Sequence, residues 1–198
     1  MDARQRRTRT RLHETVLAAA RDVDPSALTM TGLAAAAGVH RSTVHDHAAT
    51  PEALLRQALL DELDALRADL LDDPDRATDD AVTDVTARVL EHVRRHAPVY
   101  RRGLADGSGS GLQAMLAEHF VESSRRLRRQ GRLRLPGDDG PLPGVRVDAA
   151  LAVDEAAMRF VALGTVGLIQ AWVVDPDPAV EDFTALVAAL LPSWWRQG

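Results

Sequence analysis

The apolar residues of this 198-residue chain recur every third or fourth position, and no segment alternates apolar and polar residues long enough to build a strand. That periodicity confines the chain to an all-α fold. Leu12, Val16, Ala19, Ala20 and Val23 predict an amphipathic first helix over roughly Arg6–Val23, stopped by Asp24-Pro25-Ser26. Thr29 reads as the N-cap of a short alanine-rich helix at about Met30–Ala37, and Gly38 stands where a sharp turn needs positive φ. A third short helix is expected through His40–Ala48. Thr50-Pro51-Glu52 starts a fourth, with a hydroxyl cap, proline at the first helical position and an acid in the first turn. Leu55, Leu59, Leu63, Leu66 and Leu70 carry that helix along one face to Asp72-Asp73-Pro74. Further helices are expected at about Asp79–His96, Pro98–Asp106, Leu112–Arg129, Val147–Val174 and Ala179–Arg196. Gly131–Gly144 reads as a loop, and Asp175-Pro176-Asp177-Pro178 separates the last two helices.

Composition narrows the functional classes. There is no cysteine, which removes disulfides and thiolate metal sites and fits a reducing cytoplasm. The arginine-rich start has no apolar run behind it and does not read as a secretory signal. A net charge of −5 argues against a generic nucleic-acid coat. The charge is unevenly spread, however: Arg4, Arg6, Arg7, Arg9 and Arg11 face a single acid, Asp2, at the N-terminal end. This basic arm is either a solvated tail or a contact to an anionic partner. Phe160–Ala171 holds almost no polar side chain, but Arg159 and Gln170 bound it more closely than the roughly 18 uncharged residues a membrane crossing needs. It reads instead as a helix buried all round, in a bundle core or a subunit interface. No paired carboxylates with a plausible cleft, phosphate loop or nucleophile elbow is visible, so an enzyme is not expected. Gly107-Ser108-Gly109-Ser110-Gly111 follows no strand and reads as a link between helices.

Two short helices joined through a glycine make a helix-turn-helix candidate. The pattern is Leu33-Ala34-x-x-Ala37-Gly38-Val39 followed by Arg41-Ser42-Thr43-Val44. Ala34, Ala36 and Ala37 are small enough for the second helix to cross the first closely, and Leu33, Val39 and Val44 would fill the core between them. The N-terminal polar residues of the second helix, Arg41, Ser42 and Thr43, would then face base edges in the major groove. Arginine pairs bidentately with guanine, and the hydroxyls suit either partner or a thymine methyl. His45 and His47, further along, could reach phosphates.

Thr29 to Leu55, TMTGLAAAAGVHRSTVHDHAATPEALL, resembles the N-terminal signature of the TetR/AcrR family of transcription regulators. The resemblance implies a three-helix DNA-binding domain over residues 1–50 and a ligand-binding and dimerisation domain over 51–198, with the helix from Pro51 shared. It implies a DNA-facing set of Arg9, Thr29, Thr31, His40, Arg41, Ser42, Thr43, His45 and His47. It also departs from the family pattern. His45 stands where tyrosine is usual, Ala48 where a phenylalanine anchors the core, and Pro51 where a lysine meets phosphate. Asp46 adds a negative charge near the DNA.

Phe160 to Trp172, FVALGTVGLIQAW, is similar to the penultimate helix of many members. By that likeness the last two helices pair with their twofold mates through Phe160, Leu163, Gly164, Gly167, Leu168, Phe183, Leu186 and Leu190. Tyr100, Met115, His119, Phe120, Met158 and Trp172 are candidates for a small-molecule effector cavity among the middle helices, or for plain core. His92 and His96 have the spacing of two metal ligands on one helix face, with His119 as a conceivable third. The same spacing suits a solvated face or pocket wall, so no metal and no cofactor is assigned. The function expected is a cytoplasmic, homodimeric repressor that binds a pseudo-palindromic double-stranded operator and answers to an unknown small molecule, with no membrane partner. The competing expectation is a DNA-associated architectural protein without a ligand.

Overall fold

The structure of the protein, a computed structural model, describes residues 3–71, 78–105, 111–136, 138, 153–174 and 179–196. The described residues form helices α1 (Ala3–Asp22), α2 (Met30–Ala37), α3 (Arg41–His47), α4 (Pro51–Leu71), α5 (Thr78–Arg95), α6 (Ala97–Gly103), α7 (Leu112–Arg129), α8 (Val153–Val174) and α9 (Val180–Leu190), with no strand among them. Short 3-10 turns occupy Pro25–Ala27 and Ser193–Arg196. Most expected boundaries fall within a few residues of these. Two differ more. The sixth helix stops at Gly103 rather than Asp106, and the last ends at Leu190 because Leu191 is extended and Pro192 follows it. A proline disfavours helical geometry in the residue before it, which ends α9 there. Asp72-Asp73-Pro74, residues 107–110 and 139–152, and Asp175–Pro178 lie outside the described residues.

The chain divides into two compact units, Met1–Leu63 with Arg95–Met115, and Asp64–Arg94 with Leu116–Gly198. In the first, α1 packs on α2 and α6, and α2 packs on α3. Leu12, Val16 and Ala20 on α1 are fully buried, at the spacing that the sequence pattern anticipates. Asp24 ends the run: its Oδ1 accepts from the Ser26 amide at 2.9 Å and the Ser26 hydroxyl at 2.6 Å. Those two bonds hold its carboxyl below the usual carboxylate range. At the end of α1 the Arg102 guanidinium donates to the carbonyls of Ala20 (3.0 Å) and Arg21 (3.2 Å). That cation satisfies orphan carbonyls and opposes the negative end of the helix dipole. Leu54, Leu55, Ala58, Leu59 and Leu63 form the buried stripe of α4, and Thr50 caps it by accepting from the Ala53 amide at 3.1 Å.

In the second unit, Arg125 bridges Glu118 at 2.7 Å and Glu155 at 2.8 Å, and Arg128 reaches Asp154 at 2.7 Å. These pairs tie α7 to the acidic first turn of α8. They are partly exposed, so each adds under about 1 kcal/mol. Trp172 of α8 stacks on Phe183 of α9, with ring centroids 5.1 Å apart and planes at 15°. Both are buried. The helix Val153–Val174 is long and apolar enough to cross a membrane by composition. It is not buried all round within the chain, as its sequence suggested. Val161, Ala162, Thr165, Val166, Ile169, Trp172 and Val173 turn inward, while Phe160, Leu163 and Val174 are exposed.

His119 is the most perturbed histidine of this unit. It is 2% exposed, its ring nitrogens make no hydrogen bond, and Asp64 Oδ1 stands 3.5 Å from its Nδ1. Burial, helped by the charge of Arg67 and by His92, lowers its pKa to about 3. The unfolded chain therefore takes up a proton that the folded chain refuses. The stability tied to the neutral imidazole is fully present above the ordinary histidine value of 6.5 and is lost as pH falls towards 3. The slope for one proton is about 1.4 kcal/mol per pH unit. Urea melts at pH 6.5 and pH 5.0 should show the native chain losing roughly 2 kcal/mol more than His119→Leu. Parallel losses in both proteins would assign the acid sensitivity elsewhere.

Candidate nucleic-acid interface

The candidate interface is built on a turn that only glycine makes easily. Thr29, extended at φ −123° and ψ 145°, caps α2 by accepting from the Gly32 amide at 3.0 Å. At the other end Gly38 adopts φ 61° and ψ 39°, and the Val39 amide returns to the Ala34 carbonyl at 3.0 Å. This left-handed closure satisfies the last carbonyls of α2 and redirects the chain into α3. Leu33, Ala34, Ala37 and Val44 are the buried contacts of the helix pair. Ala48 is buried too, at 6% exposure, and closes α3 by donating its amide to the Val44 carbonyl at 3.0 Å.

Arg41, Ser42, His45 and Asp46 are exposed on α3, whereas Thr43 and His47 are half-buried. His40 is the N-cap: its Nδ1 accepts from the Ser42 amide at 3.3 Å and lies 2.9 Å from the Ser42 hydroxyl. Arg41 lies along the helix and donates from Nε to His45 Nε2 at 3.3 Å. The first two polar residues of α3 are therefore pre-positioned by neighbouring histidines. Neither role was legible beforehand, because histidine is not among the residues that usually cap helices. Thr31 is exposed on the first turn of α2.

The basic arm is helical. From Ala3 onward it belongs to α1, where Arg6, Arg7, Thr10, Arg11 and Glu14 line one shallow face. Arg11 brings this face to the turn, since its Nη1 is 3.9 Å from the position a Cβ on Gly38 would take. Arg9 points elsewhere, half-buried and 3.5 Å from Asp61. Asp61 also stands 3.5 Å from His13 Nδ1. Burial outweighs that carboxylate and lowers the His13 pKa.

Neither a protein-family model nor a curated protein matches the sequence. The architecture is similar to solved structures along nearly its whole length. FadR of Thermus thermophilus, a TetR-family repressor solved with lauroyl-CoA, superimposes with a TM-score of 0.62 at 20% identity, over 92% of each chain. A TetR-family regulator from Streptomyces coelicolor gives 0.59 at 16% identity, over 91% of this chain and 79% of that one. NalD of Pseudomonas aeruginosa, the secondary repressor of the MexAB-OprM efflux pump, gives 0.56 at 19%, over 96% and 100%. The chain has the TetR fold. In that fold α2, Gly38 and α3 are the helix-turn-helix, as the sequence motif anticipates.

The remaining candidates separate between the units. Tyr100 and Met115 belong to the first, where Tyr100 is fully buried and its phenol is pushed far above its ordinary pKa by that burial. His119, Phe120, Met158 and Trp172 belong to the second. Of the six, Phe120 lines a cavity among the described residues there, about 50 Å³ in volume. Its other walls include Ser123, Ser124, Ala162, Thr165 and Trp195, which sequence reasoning missed. A usable signal existed: Phe120, Ser123, Ser124 and Leu127 form one i, i+3, i+4, i+7 stripe with two hydroxyls on an apolar face. His96 Nε2 lies 2.9 Å from Glu62 Oε2 in the first unit, while His92 and His119 are buried members of the second.

Of the expected pairing residues, Phe160 (71%), Leu163 (54%), Leu186 (46%) and Leu190 (58%) are exposed. Gly164 and Gly167 are exposed, with open space where a Cβ would stand, and Leu168 is half-buried. Phe183 turns inward onto Trp172.

Proposed function

We propose that this protein is a homodimeric, sequence-specific DNA-binding regulator, acting in the cytoplasm as a repressor that a small molecule releases from a pseudo-palindromic operator. The observation that carries the reading is the N-terminal end of α3. Exposed Arg41 and Ser42 stand on a rigid glycine turn, beside an arginine face on α1. Such a helix end presents its first side chains to base edges in the major groove, while surrounding cations hold phosphates. Residues 1–50 supply this reader, with Thr31, Thr43 and His47 at its margin. Residues 51–198 supply dimerisation and ligand sensing, and α4 contributes to both.

Dimerisation is supported by a stripe of apolar and small residues left open to solvent. Phe160, Gly164, Gly167, Ala171 and Val174 share one face of α8, and Ala185, Leu186, Ala189 and Leu190 share one face of α9. Apolar patches of this kind mark protein interfaces. A twofold dimer would set two α3 helices against successive major-groove faces. Repression is adopted by analogy with the Thermus thermophilus and Pseudomonas aeruginosa repressors.

The test is fluorescence anisotropy with DNA flanking the protein's own gene, titrated against scrambled competitor and salt. Arg41→Ala should weaken operator binding about 5- to 150-fold, the 1–3 kcal/mol of a bidentate guanine contact. Thr43→Ala should weaken it less, and both variants should remain dimers. Unchanged operator affinity in both would overturn the assignment of α3 as the base reader.

A further inference from the structure

The residue before α3 is a histidine, and it fixes the hydrogen-bonding character of the serine two positions on. His40 Nδ1 accepts from the Ser42 amide at 3.3 Å. A backbone amide can only donate, so that nitrogen carries a lone pair and the ring proton sits on Nε2. The Ser42 hydroxyl lies 2.9 Å from the same Nδ1. With no proton on Nδ1, the hydrogen in that contact must come from the serine. Ser42 gives its only hydroxyl proton to His40, and its oxygen keeps lone pairs alone for anything outside. Both side chains are exposed. Beside them, Arg41 gives its Nε–H to His45 Nε2 at 3.3 Å, which leaves the two terminal guanidinium nitrogens for an outside acceptor. Two neighbouring exposed side chains thus carry opposite characters, Arg41 donating and Ser42 accepting.

We propose that His40 is a positioning residue that makes Ser42 an acceptor-only reader, selecting a base with an exocyclic amine in the major groove, adenine or cytosine, in the same half-site as the guanine read by Arg41. The inference rests on α3 being the base reader, as proposed above, and adds which bases it selects. A serine hydroxyl ordinarily suits a donor or an acceptor alike. Here the two are not equivalent. The N6 amine of adenine or the N4 amine of cytosine donates to the Ser42 oxygen while the bond to His40 stays, and each bond in such a chain polarises the next. The O4 of thymine or the O6 of guanine needs the hydroxyl proton instead, and taking it breaks the bond to His40 Nδ1. One neutral hydrogen bond separates the two cases, a preference of about 3- to 10-fold.

The experiment selects duplexes from a randomised pool on the full-length native protein, Arg41→Ala, Ser42→Ala, His40→Ala and His40→Asn, at one salt concentration. Fluorescence anisotropy then measures the enriched sites and their single-base variants. The native protein should enrich half-sites with a guanine whose preference disappears in Arg41→Ala, and an adenine or cytosine whose preference disappears in Ser42→Ala. His40→Ala should keep the guanine but accept all four bases nearly alike at the Ser42 position, because its serine is free to donate. His40→Asn should restore the native profile, since the asparagine oxygen accepts from the Ser42 amide and hydroxyl and caps the helix as well. Loss of a cap alone would weaken every sequence equally and leave the base profile as it was. Three results would overturn the proposal while leaving α3 as the base reader: thymine or guanine favoured at the Ser42 position, no position altered by Ser42→Ala, or a His40→Ala profile identical to the native one. A native selection that enriches no sequence would overturn both.

Discussion

Phe160→Glu should leave each chain folded and convert the proposed dimer into a monomer of 21.5 kDa in sedimentation equilibrium, against the twofold mass expected of the native protein. The side chain is 71% exposed on α8, so the isolated chain loses little packing, within about 0.5 kcal/mol. In a twofold pairing through this face two carboxylates would be buried near one another without a cation. An unpaired buried charge costs several kcal/mol. Dimer affinity should fall on the order of a thousandfold or more, since each 1.4 kcal/mol is tenfold. On the proposed reading operator affinity should fall with it, because a monomer would offer one α3 to an operator of two half-sites. A Phe160→Glu protein that stays dimeric would move the interface off this face.

Leu59→Ala should cost the first unit about 3–4 kcal/mol in urea unfolding. Leu59 is fully buried on α4 between Leu55 and Leu63, themselves 2% and 0% exposed. Removing its isobutyl group forfeits the transfer free energy and leaves a cavity that its packed surroundings cannot collapse to fill. Against a total stability of about 5–15 kcal/mol, that is a substantial share. The same truncation at Leu163, 54% exposed, should cost under about 0.5 kcal/mol in the monomeric Phe160→Glu background. Similar losses at both positions would contradict the inward orientation of the α4 stripe.

Legibility differed between the two units for a physical reason. Near the N-terminus most information is local. Thr29 and Thr50 cap helices because their hydroxyls satisfy amides three residues on, at 3.0 Å and 3.1 Å, and Gly38 turns because it lacks a Cβ. These interactions span a few residues, so the sequence contains both partners side by side. The same locality hid one thing: His40 and His45 were read as partners for DNA, and they also hold Ser42 and Arg41 in place. The family resemblance named a candidate DNA-facing set, but how its members are held could not be read from it.

In α8 the sequence pattern reached its limit. That helix is apolar on nearly every face, so period alone cannot say which face turns inward. Folding resolved it by sending Val161, Thr165 and Trp172 inside and leaving Phe160, Leu163 and Val174 in solvent. Phe183 was drawn from the expected outer stripe onto Trp172 for the same reason, since a stacked aromatic pair buries more area than either ring alone. The cavity was beyond reach as well. It is lined from Val85 on α5 to Trp195 after α9, by way of Phe120 and Ser124 on α7 and Ala162 on α8, residues far apart in the sequence. The sequence by itself determined the helices, their caps, the glycine turn and the all-α class, because each depends on neighbours within about one helical turn. Only the tertiary structure decided which apolar face is core, which is surface, and which residues line a cavity. Those outcomes depend on side chains meeting across long loops, and no local pattern encodes them.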